Sequence, residues 1–121
     1  MIDARRQIRN ALLTICTNVL STKPEEDEEF PLICYSCVEN IDINMAVTRL
    51  KWRVAVYCNT LDSLIELENE VNRIMSDNLG YTRVYSTPDD QKKVYDGFYL
   101  SRMDYSGQVD KTKMAVIKYS I

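Results

Sequence analysis

The side chains that most often perform chemistry at neutral pH are scarce in this sequence. Its 121 residues include no histidine, so the commonest general base and metal ligand is missing, and no Ser-His-Asp or Cys-His arrangement can form. Of the four cysteines, Cys34 and Cys37 have the Cys-x-x-Cys spacing of zinc and redox motifs. They fall in an apolar run typical of a β-strand, where they would point to opposite faces, and no second pair completes a zinc site. We therefore interpret the cysteines as reduced, structural thiols.

Two groups of carboxylates offer the remaining chemistry. One group could bind a hard cation and the other could form an acid–base pair; they are Asp89, Asp90 and Asp96, and Glu66, Glu68 and Glu70. No EF-hand or P-loop spacing surrounds the aspartates, and the glutamates cannot all converge on one face of a helix. We expect solvated carboxylates, no cofactor, no bound metal and no enzymatic activity.

The composition indicates one globular domain over residues 1–121. Hydrophobic residues make up 45% of the chain, which is enough at this length for a core without disulfide or metal staples. The net charge of -3 argues against a general nucleic-acid binder. No apolar run approaches the roughly 20 residues of a membrane span, and the N-terminus has no signal-peptide pattern. We expect a chain that is made in the cytosol and has no membrane partner.

Apolar spacing predicts the elements that must position these side chains. Helices are predicted over residues 2–20 and 60–79, and strands over 31–40, 49–58, 81–87 and 94–105. Residues 114–121 alternate again and form either a last strand or part of a C-terminal arm, over 107–121, that pairs with a neighbouring subunit. Gly80 fits the left-handed position that ends many helices, and residues 106–108 indicate a turn. The order α-β-β-α-β-β-(β) predicts an α+β two-layer sandwich, in which helices pack on one face of a mostly antiparallel sheet of four to five strands.

The strand over residues 49–58 has the cleanest alternation. Its apolar side, which should face the core, consists of Leu50, Trp52, Val54, Val56 and Cys58. Its other side carries Arg49, Lys51, Arg53 and Tyr57. This pattern is typical of a sheet with one covered face and one polar face. Residues 40–48 should form an extended hairpin loop before this strand.

An acidic linker separates the first helix from the first strand. Residues 21–29 include five consecutive acids, Glu25, Glu26, Asp27, Glu28 and Glu29. Such a run repels itself and rarely lies inside packed structure. It indicates either a solvated loop or an acidic rim on a larger assembly.

Several segments, taken in order, carry a resemblance to a known family. They are an N-terminal helix, Phe30-Pro31-Leu32-Ile33-Cys34-Tyr35, Trp52-Arg53-Val54-Ala55-Val56-Tyr57, Leu64-Ile65-Glu66-Leu67 with residues 71–75, Gly80-Tyr81-Thr82-Arg83, and Gly97-Phe98-Tyr99-Leu100-Ser101-Arg102-Met103. With this order and spacing, residues 2–105 resemble the tail terminator or tail completion proteins of tailed bacteriophages, which include minor capsid and head–tail joining proteins. That family has no catalytic signature, so no catalytic residue is carried over.

The resemblance implies a ring subunit, usually of a hexamer, in the tail or neck of a virion assembled in the bacterial cytoplasm. Such a ring caps the tail tube, stops its polymerisation and offers a docking face to the head connector. The implied partners are further copies of the chain, the tail tube protein, and the head connector or, in a contractile system, the sheath protein; DNA passes through without specific binding. On this hypothesis the inter-subunit interface is formed by Arg49, Lys51, Arg53 and Tyr57, and residues 25–29 form an acidic rim.

Three other functions stay open from the sequence. A head-side adaptor, which completes the head or joins the portal to the tail, is the closest alternative. An α+β enzyme or nucleotide-binding domain is suggested only by Asp89, Asp90, Asp96 and the thiols. A small regulatory adaptor has no distinguishing feature in this sequence.

Overall fold

The computed structural model describes residues 2–21, 29–94 and 97–117. Within these ranges the elements follow in the order α1 (Arg5–Leu12), β1 (Val19–Leu20), β2 (Leu32–Asp42), β3 (Val47–Cys58), α2 (Leu61–Asn72), β4 (Thr82–Ser86), β5 (Tyr99–Asp110) and β6 (Ala115–Val116). A π-helical segment, Arg73–Asn78, continues α2, and a 3-10 turn spans Asp89–Gln91. The predicted α+β class, with helices on one side of a mostly antiparallel sheet, is confirmed.

The two longest strands lie side by side in the middle of the sheet. The strand order is β1-β2-β3-β5-β4; β1 pairs with β2 in parallel, and the other described pairs are antiparallel. β3 pairs with β5 along its whole length. On the other side of β5, β4 pairs with its middle and β6 with its end. The outermost strands β1, β4 and β6 are therefore short, and beyond Cys34 the strand β2 itself forms one edge of the described sheet.

The predicted apolar side of β3 forms the centre of the core. Its five residues are all buried and alternate strictly with half-buried residues: Leu50, Trp52, Val54, Val56 and Cys58. The register places Trp52 between Cys37 of β2 and Tyr105 of β5. Because paired residues share a face, the core surface is continuous across the three strands.

Helix α2 begins, and its π-helical continuation ends, about where the sequence predicts. The Thr60 hydroxyl oxygen accepts a hydrogen bond from the Ser63 amide at 3.2 Å, which caps the helix at its start. Gly80 follows the π-helical segment with a φ of +87°, the left-handed conformation that glycine adopts most readily.

Both helices bury their apolar stripes against the same face of the sheet. From α1 the buried residues are Ile8 and Leu12. From α2 and its continuation they are Leu64, Leu67, Val71, Ile74 and Met75. All of them belong to one hydrophobic cluster with Trp52 and Val54 of β3. Neither described helix is long and apolar enough to cross a lipid bilayer.

The predicted first helix is too long, because α1 ends at Leu12 and Val19–Leu20 forms β1. Val19 is buried as a strand residue that pairs with Ile33. The apolar periodicity alone does not separate a helix end from a short strand. Residues 19–20 form a strand rather than a helix end because they supply hydrogen-bonding partners to backbone groups at the edge of β2.

The connection between β2 and β3 is shorter than the predicted loop over residues 40–48. The strands run to Asp42 and from Val47, so only residues 43–46 turn. The Asn44 side-chain oxygen accepts hydrogen bonds from the amides of Ala46 and Val47, at 2.8 and 2.9 Å. These side-chain hydrogen bonds allow the chain to reverse direction within residues 43–46.

The turn predicted at residues 106–108 is wrong, because they lie inside β5, which runs over Tyr99–Asp110 rather than 94–105. Gly107 pairs with Leu50, and a Cβ at this position would lie 2.8 Å from Cδ1 of Tyr81. The glycine thus permits a close approach within a strand rather than a turn. In the predicted arm over 107–121, residues 107–110 and Ala115–Val116 pair within the chain's own sheet, and residues 118–121 lie outside the described residues.

Candidate functional site

The four predicted interface residues share one surface. Arg49, Lys51, Arg53 and Tyr57 are half-exposed and lie on the side of β3 that faces away from the helices. The register brings Ser36 of β2 and Leu100, Arg102 and Asp104 of β5 to the same side. We name this surface the open face, because neither described helix packs on it. The structure therefore brings together the four residues selected from the sequence.

An ion cluster around Asp104 occupies the middle of the open face. This carboxylate is only 5% exposed, and its Oδ1 lies 3.3 Å from Nε of Arg53 and 3.7 Å from Nε of Arg102. The Arg102 guanidinium also lies over the Tyr85 ring, 4.5 Å from its centroid. Two guanidiniums thus compensate one buried carboxylate, and each keeps about 40% of its side chain accessible.

Three cations of β3 form what we name the cationic row: Arg49, Lys51 and Arg53. Arg49 lies 3.6 Å from the Glu39 carboxylate, and Arg53 contacts Asp104. Lys51, between them, makes no ion pair with any residue that the structure describes. The centre of the row is therefore available to an acidic group from outside the chain.

The end of the open face beside Tyr57 is aromatic. The Phe30 and Tyr57 rings lie parallel with centroids 6.3 Å apart, and Phe98 lies 5.3 Å from Phe30 and 6.0 Å from Tyr57. Burial raises the pKa of the Tyr57 phenol, which stays neutral. A concavity of about 430 Å³ next to this cluster is lined by Ser21, Cys34, Ser36, Arg53, Tyr57 and Leu100, among others. Apolar contact area and guanidinium groups thus lie side by side.

A second charged surface lies on α2, on the opposite side of the molecule. Asp62, Glu66 and Glu70 follow one another at intervals of four residues and are exposed; we name them the acidic stripe. Leu61 and Ile65 lie next to it and are 40% and 42% exposed. Glu70 pairs with Arg73 at 2.7 Å. Glu66 and Glu70 also border a cleft of about 370 Å³ beside Ile15 and Pro31.

The carboxylates singled out in the sequence do not form one cluster. Glu68 contacts Lys92 at 3.0 Å whereas Glu70 contacts Arg73, so the three glutamates do not all converge, as predicted. Asp89 also contacts Lys92, at 2.7 Å, and Asp90 is exposed. Asp96 lies outside the described residues. Within the described residues, no group of three or more Cys, Asp or Glu side chains could hold a metal ion.

The sheet separates the two thiols of the Cys-x-x-Cys segment. Cys34 pairs with Ala55 on the open face and Cys37 with Trp52 on the core face, so their predicted opposite orientation is confirmed. Burial raises the pKa of Cys37, whose Sγ donates to the Glu39 carbonyl at 3.1 Å. Burial also raises the pKa of Cys58 to about 11, which keeps this group a thiol at neutral pH.

Most of the predicted acidic rim, Glu25, Glu26, Asp27 and Glu28, lies outside the described residues. Glu29 is described and exposed, and its carbonyl accepts a hydrogen bond from Nδ2 of Asn18 at 2.7 Å.

Sequence reasoning missed the contribution of β5 to the open face. Alternation puts Leu100 and Arg102 on one side of that strand, but it does not reveal which residues of β3 they meet. Asp104 falls on this same side and is buried between two arginines, which no local pattern indicates. The only available signal was the mixed charge of a strand that is otherwise aromatic and apolar.

No protein-family model matches this chain, and no curated protein matches it significantly. Its function is therefore inferred from the fold and the surfaces described above.

Proposed function

We propose that this chain is a structural subunit of a bacteriophage virion that assembles into a hexameric ring on the end of the tail tube. The ring stops polymerisation of the tube and offers a docking face to the head connector. Its partners are further copies of itself, the tail tube protein and the connector, or the sheath protein in a contractile system. The subunit works by shape and surface, without a catalytic group.

The open face is the observation that carries this proposal. A sheet normally buries both faces in protein or leaves one polar face in water. Here the side on which neither described helix packs combines half-exposed cations with an aromatic cluster at Phe30, Tyr57 and Phe98. Aromatic residues and arginine are enriched at the centres of protein interfaces. This combination supports a surface that is buried in an assembly.

The charge distribution supports a role beside DNA rather than binding to it. The net charge of -3 and the acidic run at residues 25–29 would repel the phosphate backbone. A ring that lets DNA pass must not hold it, and an acidic lining would meet that requirement.

Electron microscopy of the purified chain mixed with separately purified tail tubes tests the proposal. We expect sixfold rings at tube ends and tubes that no longer elongate when more tube protein is added. Tubes incubated with an unrelated protein of similar size are the control. A chain that never associates with tube ends, and leaves elongation unchanged, contradicts the proposal.

Deletion of the gene in the phage separates a tail terminator from a head-side adaptor. Loss of a terminator gives overlong or unjoined tails. Normal tails beside full but unstable heads would instead assign the chain to the head side of the neck.

A further inference from the structure

We propose that neighbouring subunits pair through two different surfaces: the acidic stripe of α2 in one copy docks on the cationic row of β3 in the next. The contact pairs Lys51 of one copy with Glu66 of the other at its centre. This inference rests on the proposed function in one respect, because it takes the partner of the open face to be a second copy of this chain.

Charge complementarity is the first argument. The open face carries Arg49, Lys51, Arg53 and Arg102 against the carboxylates Glu39, Asp104 and Asp110, so it is net cationic on a chain whose net charge is -3. The exposed side of α2 carries Asp62, Glu66 and Glu70 against Arg73. Lys51, Asp62 and Glu66 make no ion pair with any described residue of their own chain. The central members of the two surfaces are therefore both available.

The spacing of the charges is the second argument. Residues four apart on an α-helix are separated by about 6 Å along the axis, which sets the interval of the acidic stripe. Residues two apart on an antiparallel strand are separated by about 6.8 Å, which sets the interval of the cationic row. Over three charges the two rows differ by only about 2 Å, which flexible Lys, Arg and Glu side chains absorb.

The apolar residues give the contact a direction. Leu61 and Ile65 beside the acidic stripe are among the exposed large hydrophobic residues. If α2 runs antiparallel to β3, Asp62 meets Arg53 and Glu70 meets Arg49. The start of α2, with Leu61, then lies toward Tyr57 and the aromatic end of the open face. Apolar and charged parts of the two surfaces match in the same orientation.

The two surfaces lie on opposite sides of one subunit, so they cannot meet within it. α2 packs on the core face of β3 through Leu64 and Leu67, whereas the cationic row points the other way. A contact between two different surfaces is heterologous and repeats from subunit to subunit. Such a contact closes into a ring when the rotation between neighbours permits it, as the proposed function requires.

Charge reversal and mixing test the pairing on the full chain. Sedimentation velocity at low salt compares the wild type with Lys51→Glu and Glu66→Lys. We expect each variant alone to associate about tenfold or more weakly, because every interface now brings together like charges. An equimolar mixture of the two variants should recover assembly, since alternating subunits restore an opposite-charge pair at every interface. The double variant should recover it as well.

Two variants of equal charge change serve as controls. Lys113→Glu and Asp90→Lys alter exposed residues outside both surfaces and should leave assembly unchanged. Circular dichroism verifies that each variant is folded. Raising salt from about 0.05 to about 0.5 M should weaken the wild-type association, since these pairs are screened by solvent ions.

The outcomes separate this inference from the proposed function. Assembly that is unaffected by both reversals, or that the mixture fails to recover, overturns the pairing and leaves a tube-capping ring intact. A wild type that stays monomeric at low salt up to about 1 mM also overturns the pairing. If the mixture recovers assembly but the chain never binds to tube ends, the pairing is supported and the tail-terminator function is overturned.

Discussion

Lys92 is a residue whose role depends entirely on tertiary contacts. Its side chain is 7% exposed, and its Nζ lies 3.0 Å from Glu68 Oε1 and 2.7 Å from Asp89 Oδ1. Burial by itself would lower the pKa of Lys92, but the hydrogen bonds to Asp89 and Glu68 outweigh it and the net shift is upward. The ammonium therefore stays charged and ties the segment after β4 to α2.

Replacing Lys92 should lower the stability of the fold, because its ion pairs with Glu68 and Asp89 are lost. Lys92→Ala leaves the Glu68 carboxylate, which is 14% exposed, without its counter-ion, and we expect a loss of about 3 kcal/mol in the free energy of unfolding. Urea denaturation measures this loss. The neighbouring and exposed Lys93 offers a matched control, and Lys93→Ala should stay within about 0.5 kcal/mol of the wild type. Equal losses in the two variants would show that the buried ion pairs contribute nothing specific.

The buried thiol of Cys58 makes stability depend on pH in the alkaline range. Burial raises its pKa from 9.0 to about 11, so the folded chain keeps a proton that the unfolded chain releases in this window. The stabilising contribution is complete below about pH 9 and is lost as the pH rises toward about 11. Between these limits the wild type should lose about 2 kcal/mol more than Cys58→Ala. Urea denaturation at several pH values checks this, and parallel losses in both proteins would contradict it.

At the scale of elements, β5 packs closely against Tyr81, which follows the helical segment, because Gly107 has no side chain. A Cβ on Gly107 would lie 2.8 Å from Cδ1 of the buried Tyr81 ring and 3.3 Å from Cγ1 of Val116. Gly107→Ala should therefore cost about 1–3 kcal/mol in the free energy of unfolding, because the ring has to move within a packed core.

A double-mutant cycle tests whether Tyr81 causes that loss. In a Tyr81→Ala background the same glycine substitution should cost less, as the space is then available. Thermal or urea unfolding of the four proteins gives the coupling. An identical cost in both backgrounds would assign the effect to backbone preference rather than to contact with the ring.

The sequence predicts β3 and α2 well and β5 less well. The alternation in β3 and the stripe of α2 follow from repeating burial on one face, so periodicity alone identified both. Gly80 was predictable because its left-handed conformation has a local cause. Gly107 was not, since the same residue type serves a close contact with Tyr81, far away in sequence. The open face was predicted for β3, whereas Arg102 and Asp104 require the register between strands.

For the whole molecule, the fold and the proposed assembly depend on different residues of the cationic row. Arg53 neutralises the buried Asp104, so Arg53→Glu should lower the free energy of unfolding by about 2 kcal/mol and also weaken ring formation. Lys51→Glu should weaken ring formation at a cost of less than about 1 kcal/mol in the free energy of unfolding, because the Lys51 side chain makes no ion pair with a described residue and the new carboxylate only lies opposite Glu39 of β2. Unfolding and sedimentation measured on the same samples distinguish the two effects. Full stability of Arg53→Glu would contradict this division.

The edges of the sheet have a consequence for how this chain behaves when it is concentrated. In the described chain, β1 pairs with only Ile33 and Cys34, so the rest of β2 forms one edge, which a bulge between Cys37 and Glu39 interrupts. The other edge is divided between β6 and a β4 that is interrupted by a register shift at Val84. Amyloid-like growth needs a long, flat template of unpaired backbone groups, and neither edge supplies one. On the proposed function, this chain is synthesised in many copies before the tail tubes are complete. Interrupted edges would keep the unassembled subunits free of fibrils and leave their faces as the route to association.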